Sequence, residues 1–400
     1  MRTRLLLATV TVMLAGGQSR TITDSEVMRV HRSTLLIDTH NDVPSRTVEG
    51  FDIGSHAGTG HTDIARLKEG GVGAQFFAVY VAASYVNGNR SANRTLQMID
   101  TVRHDIIGRY PNDFVLATSA KDIEEAHRRG KIAALMGIEG GHAIEDSLRL
   151  LRDYYDLGVR YMTLTHSNTN NWADSSGDID DAKVKHHNGL TDFGKQVVRE
   201  MNRLGMMVDI SHVADKTFWD ALETSKAPIF ASHSSCRALT NHARNMTDDM
   251  IVALAKKGGV VQVNFYCGFI SQKFRDNDAA DTKALDARMA KETAGKNLSE
   301  PDRQVLSEKL RTEMGLSRAT LADVVDHIDH IRKIAGIDAI GIGGDFDGVS
   351  CTPIGLDDVS KYPNLTRALL EKGYSAEDIR KIYGGNFLRV MRAVEAAAGK

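Results

Sequence analysis

TDFGKQVVREMNRLGMMVDISH, running from Thr191 to His212, holds one whole unit of the fold. Thr191 is suited to cap a helix, because its hydroxyl can accept a backbone N–H of the first turn. The helix it opens is expected over Asp192–Leu204, and Gly205 follows as its stop. MMVDISH, Met206–His212, then reads as an apolar strand closed by polar side chains. Seven further runs have the same character. They are LLID (Leu35–Asp38), VGAQFFAVYV (Val72–Val81), IAALMGIE (Ile132–Glu139) and VRYMTLTH (Val159–His166). PIFASH (Pro228–His233), GVVQVNFY (Gly259–Tyr266) and AIGIGGD (Ala339–Asp345) complete the set. Nearly continuous apolar runs suit parallel strands buried on both faces. Helical segments separate them. One is Ala120–Arg129, with Ser119 as cap, Asp122 in the first turn and Gly130 as stop. Eight strands alternating with helices predict the α/β class and a (β/α)8 TIM barrel. An open doubly wound sheet is the competing arrangement, but no glycine-rich nucleotide loop follows the first strand.

The chain has 400 residues, enough for two or three average domains or for one barrel. Without internal repeats or low-complexity linkers, one barrel domain over residues 18–400 is the expectation. One stretch breaks the rhythm. Residues 271–316 are rich in Lys, Asp, Glu, Arg and Ala, and Ser299 with Asp302 forms a capping box for a helix over Pro301–Thr312. This reads as a charged helical insertion between strands seven and eight. Loops after barrel strands lie on the catalytic face, so a lid and a subunit contact are both open roles for it. With 42% hydrophobic and 26% charged residues, the composition excludes a disordered or fibrous chain. Lys plus Arg is 50 and Asp plus Glu is 52, a net charge of −2. That balance gives no reason to expect nucleic acid or an anionic membrane as partner.

Residues 1–17 read as a secretory signal peptide: two arginines, the apolar run LLLATVTVML (Leu5–Leu14), then Ala15-Gly16-Gly17. The run is too short to anchor in a bilayer, no lipoprotein cysteine follows it, and the C-terminal VMRAVEAAAGK lacks a lipid-anchor tail. A secreted or periplasmic protein with no membrane anchor is expected. Three cysteines are too few for a disulfide scaffold. Cys236 and Cys267 follow adjacent strands six and seven, and export permits a bond between them, but spacing does not establish it. The odd count leaves at least one thiol free.

The chemistry gathers at strand ends. Strand one runs into Asp38-Thr39-His40-Asn41-Asp42, where His40 and Asp42 share one side of an extended chain. Strands three, four, five, six and eight end at Glu139, His166, His212, His233 and Asp345. Singly, each is more readily a packed or capping residue. Together they fall at the carboxyl ends of strands, which converge on one face of a barrel, and structural histidines have no reason to choose that end repeatedly. Imidazole and carboxylate without thiolate suits zinc. His142 is close enough in sequence to Glu139 to support it, and Asp347 either supports Asp345 or caps a turn. His186 and His187 receive no role. His327 and His330 lie three apart on a helix, expected in the outer layer away from the site.

The matching text goes further. LIDTHNDVP, GIEGG (Gly137–Gly141), YMTLTHSNTNNWADSS (Tyr161–Ser176), the segment Asn188–His212, ASHSSCRALTNHARNMTDDM (Ala231–Met250), HIDHIRKIAGIDAIGIGGDFDG (His327–Gly348) and GGNFLRV (Gly384–Val390) occur in order over nearly all of residues 18–400. The chain resembles the membrane (renal) dipeptidase family of the amidohydrolase superfamily. The resemblance implies a site with two Zn2+: His40 and Asp42 on one ion, His212 and His233 on the other, Glu139 bridging. Many relatives in the superfamily bridge with a carbamylated lysine, but no lysine closes these strands. It further implies water activated between the metals, His166 polarising the scissile carbonyl, Asp345 as acid–base group and Arg244 binding the substrate's terminal carboxylate. Dipeptide substrates follow, L-Xaa-L-Xaa and L-Xaa-D-Xaa, as does a homodimer. Two alternatives remain: a two-metal amidohydrolase for N-acyl amino acids or lactams, and a non-catalytic binding protein on the same barrel.

Overall fold

The computed structural model describes residues 21–55 and 58–399. The expected signal peptide lies outside them. Among the described residues nine strands form: β1 (Leu36–Asn41), β2 (Val72–Tyr80), β3 (Phe114–Leu116), β4 (Ile132–Glu139), β5 (Val159–Thr163), β6 (Met207–Asp209), β7 (Phe230–Ser234), β8 (Val260–Val263) and β9 (Ile340–Ile342). Eight of them pair in parallel in the order β1-β2-β4-β5-β6-β7-β8-β9, and helices fill most of the connections. The ring closes where the Asp42 N–H donates to the Phe346 carbonyl at 2.8 Å and the Asp345 N–H to the His40 carbonyl at 3.1 Å. The result is a nearly closed (β/α)8 barrel.

The ninth strand is a departure from the sequence expectation. β3 pairs Phe114 with Ile132 and Leu116 with Ala134, on the start of β4, whereas β5 joins β4 only from Met136 onward. It fills a short length of edge that β5 does not reach. Three residues are too few to show a period.

Alternation sorts the side chains of β4. Ala133 and Leu135 join an inner cluster, while Ala134, Met136 and Ile138 face the outer helices. The inner cluster is floored by four rings. Phe76 lies 5.1 Å from Tyr161 and 5.3 Å from Phe387, and Phe230 lies 5.5 Å from Tyr161 and 6.0 Å from Phe387. β2, β5 and β7 are not neighbours, so their rings meet only by pointing inward. Phe387 comes from the C-terminal helix Asn386–Ala397. Gly137 makes room for this floor: a Cβ there would come within 1.9 Å of the Tyr161 ring.

The quoted helix forms over Asp192–Leu204, with Thr191 as N-cap and Gly205 in left-handed backbone at φ 81°. The charged insertion is helical, over Gln272–Glu292 and Glu300–Glu313, and Ser299 caps the second helix. Cys267, just before it, is bonded to Cys351, not to Cys236. Cys236 is free and buried, its N–H donating to Nδ1 of His327 at 3.0 Å. His327 therefore departs from its expected place. It is fully buried, and its Nε2 reaches the Ile270 carbonyl at 3.2 Å, so it ties together the loops that follow β7 and β8. His330 meets Asp248 at 2.8 Å. Among the described residues, no helix is long and apolar enough to cross a membrane.

Candidate active site

The structure brings the eight candidate residues to the carboxyl end of the barrel, but not all of them close strands. β5 ends at Thr163, β6 at Asp209 and β9 at Ile342, so His166, His212 and Asp345 stand on the turns beyond. His212 and Asp345 adopt left-handed backbone, φ 65° and 61°, which no strand can continue. The His212 turn is held by Ser176, whose N–H and hydroxyl both donate to its carbonyl, at 2.8 and 2.9 Å. Asp42 likewise opens the short helix Val43–Thr47 rather than extending β1. Register shifts fall between Asp38 and Asn41 of β1 and between Ala231 and Ser234 of β7, where His40 and His233 turn inward.

Glu139 is the centre of the arrangement. Its Oε2 lies 3.5 Å from Nε2 of His40. Its Oε1 lies 3.0 Å from Nε2 of His212 and 3.3 Å from Nε2 of His233. His40 Nε2 is also 3.2 Å from Asp42 Oδ2 and 4.0 Å from Asp345 Oδ1. The His40 and His233 rings stack at 3.8 Å. His166 lies edge-on to Tyr80 at 4.9 Å and 4.5 Å from the His212 ring. Its ring nitrogen also falls within ligand distance of Glu139 and His212, so geometry alone places it among the groups able to hold an ion.

A cation fits this cluster. Asp42, Glu139 and Asp345 are three buried carboxyls around one buried imidazole. His40 Nε2 and Asp42 Oδ2 face each other without a hydrogen-bond partner, although both are sealed from solvent. Burial works against charge on His40, yet Tyr161, Glu139 and Asp42 together hold its pKa well above the ordinary range. The cluster calls for positive charge. Burial, with the charges of Arg244 and neighbouring histidines, keeps His212 and His233 well below the ordinary value and so neutral, with lone pairs to offer. Burial, reinforced by Asp42 and Glu139, pushes Asp345 up to about 8. Its Oδ2 accepts from the amide of Asn264 at 2.8 Å, which leaves Oδ1 turned toward the cluster.

Arg244 is buried. Its guanidinium donates to the Ser234 hydroxyl at 3.1 Å and to the His233 carbonyl at 2.5 Å, and its Nε has no partner. None of its hydrogen-bond partners is a carboxylate, so its charge awaits an anion.

Several residues of the site were not singled out in the sequence. Asp38 accepts from the backbone of His40 and Gly344 and from the Tyr362 hydroxyl, at 3.1, 2.9 and 2.7 Å. Asp209 accepts from the backbone of Ser211 and Ser232 and from the Ser232 hydroxyl, at 3.0, 2.8 and 2.6 Å. The signal was an aspartate two or three residues before a strand-end histidine. Asn264 sits just past β8, the one strand of the late run for which no polar end was assigned. Of the remaining candidates, His142 bonds the Val81 carbonyl at 2.9 Å. Asp347 accepts from the His61 N–H at 3.0 Å and from Arg46 at 3.5 Å. His187 bonds the Asn170 carbonyl at 2.9 Å.

Solved structures share this whole arrangement of elements. The probable dipeptidase PvdM from Pseudomonas aeruginosa is 26% identical, with a TM-score of 0.77 over 94% of this chain and 99% of its own. The metallopeptidase "dipeptidase AC" of family M19 is 25% identical, with a TM-score of 0.73 over 92% of this chain and 100% of its own. A metallopeptidase from Rhodobacter sphaeroides, solved with a phosphinate mimic of L-Ala-D-Ala, is 25% identical, with a TM-score of 0.71 over 90% of this chain and 99% of its own. The membrane dipeptidase profile, peptidase family M19, matches residues 24–400. The chain therefore belongs to the membrane dipeptidase family, and the activity class of that membership is metal-dependent dipeptide hydrolysis.

Proposed function

We propose that the chain is an exported two-zinc dipeptidase, in which His40 and Asp42 hold one ion, His212 and His233 the other, and Glu139 bridges them. The observation that carries this reading is the division of Glu139: one oxygen faces His40, the other faces His212 and His233. Zinc held there supplies an acidified water, with a pKa near 7, and a Lewis acid for the carbonyl. The protein's own groups do the rest. Arg244 takes the substrate's terminal carboxylate through two parallel hydrogen bonds, which fixes which peptide bond reaches the metals. His166, a half-buried imidazole that desolvation keeps below its ordinary pKa, holds the carbonyl oxygen as it gains charge. Asp345, held by Asn264, takes the proton of the attacking water at Oδ1 and hands it to the leaving amine.

The phosphinate on the Rhodobacter relative stands in for the tetrahedral species of attack on L-Ala-D-Ala. It supports acceptance of a D-residue at the C-terminal position here too. The Cys267–Cys351 bond suits an oxidising compartment and so supports export. A homodimer is part of the same reading, and sedimentation of the purified protein tests it.

The deciding experiment is turnover of a panel of L,L and L,D dipeptides alongside N-acyl amino acids, with bound metal counted on the same sample. Dipeptide turnover that disappears with chelation and returns with zinc is expected. Two bound ions with no dipeptide turnover would sink the assignment, and preference for an N-acyl amino acid would move it to the related amidohydrolase reading.

A further inference from the structure

We propose that Tyr161 and Ser232 are positioning residues that decide which ring nitrogen of His40 and of His233 is free for metal, one residue serving each ion. The inference rests on the ligand assignment above and adds how the protein enforces it.

The argument is a count of protons. The Tyr161 hydroxyl lies 3.0 Å from the Thr39 carbonyl and 2.8 Å from Nδ1 of His40. A carbonyl only accepts, so the single phenolic proton goes to Thr39. The bond to His40 then has to be donated by the imidazole, which places its proton on Nδ1. Nε2 is left to face Asp42 and Glu139, which is where its lone pair is useful.

Ser232 repeats the logic with different atoms. Its hydroxyl lies 2.6 Å from Oδ2 of Asp209 and 2.7 Å from Nδ1 of His233. Asp209 has donors on both oxygens: the N–H groups of Ser211 and Ser232 on Oδ1, and the Thr163 and Ser232 hydroxyls on Oδ2. It is therefore an acceptor, and the Ser232 proton is spent on it. His233 must donate from Nδ1, and its Nε2 is turned toward Glu139.

The two devices are separate. Tyr161 reaches His40 across the barrel from β5, and Ser232 sits beside His233 on β7. Both side chains are buried.

Tyr161→Phe keeps the ring in the aromatic floor, and Ser232→Ala only removes an oxygen, so both should fold. Apo-protein melting curves check that. Loss of such a supporting bond weakens metal binding by roughly 10–100-fold. Each variant, titrated with zinc against a competing chelator, is expected to lose that much at one ion and keep the other. The cobalt form of each is expected to show an altered visible spectrum. In a His40→Ala background, Tyr161→Phe should cost nothing further, while Ser232→Ala should still cost its full amount. Wild-type protein that binds two ions, with both variants matching it, overturns the tautomer assignment alone. Equal losses from Tyr161→Phe with and without His40 also overturn it. Wild-type protein that takes up no metal overturns the ligand reading along with it.

Discussion

Glu139 sits where two sets of nitrogens meet, so its charge is worth more than its size. Glu139→Gln keeps the shape and removes half the acceptor capacity. Both ions are expected to weaken, with turnover falling by on the order of 10²–10³-fold, read by metal counting and initial rates together. Arg244 makes a different prediction, because its guanidinium is buried with no carboxylate bonded to it. Arg244→Ala should lower kcat/KM for dipeptides by roughly 10²–10³-fold with metal content unchanged. A dipeptide amide, which lacks the carboxylate, should already be poor with the wild type and should lose little more with the variant. An equal loss for both substrates would contradict the clamp. The candidate ligands were legible as a group because each stands at or just past a strand end. Tyr161 was not. It acts on a histidine 121 residues away, and no local spacing records such a bond.

The inserted helices are fastened to the catalytic face by particular side chains. Glu308, on the helix Glu300–Glu313, pairs with the buried His61, and its other oxygen accepts from the Thr352 N–H at 2.9 Å. His61 Nδ1 in turn accepts the N–H of Asp347, at 2.8 Å, in the turn that carries Asp345. Because Nδ1 accepts, His61 faces Glu308 as a neutral ring that donates from Nε2; burial pushes the Glu308 carboxyl up, but His61 and the Thr352 donors draw it down to about 2. The Glu308 contribution is complete above its ordinary value of 4.5 and is lost as pH falls toward 2. The fastening is therefore full above 4.5. Amide exchange in this helix, corrected for intrinsic rate, should quicken as pH falls from 4.5 toward 2, and Glu308→Gln should abolish that dependence. The insertion was legible as a change of composition. Its partners were not, because His61 and Glu308 are 247 residues apart. Strands were legible in place and overlong in extent. An apolar run does not reveal the left-handed residues, His212 and Asp345, that end the extended path.

Across the whole molecule, the ring of strands and one covalent tie hold the site together. Cys267 and Cys351, 84 positions apart, bracket the insertion and β9. In the chain-entropy account, a link across so long a loop stabilises by on the order of 4 kcal/mol. Replacing both cysteines with alanine should lower the urea midpoint and steepen the transition, because the unlinked denatured chain is less compact and exposes more surface. The barrel itself was legible from eight apolar runs, but the choice of cysteine partner was not. Three thiols allow three pairings, and only the packing of Cys236 against His327 removes it from the choice. The four rings beneath the metal cluster make the barrel a cup rather than a pipe. What enters over the rim must leave over the rim. Both amino acids released from a dipeptide depart by the route the dipeptide took, and, in the role proposed for Arg244, the fragment that keeps the terminal carboxylate must leave its guanidinium before another substrate can take its place. That free amino acid should act as a competitive inhibitor of dipeptide turnover, and a purely noncompetitive pattern would mean that the floor leaks.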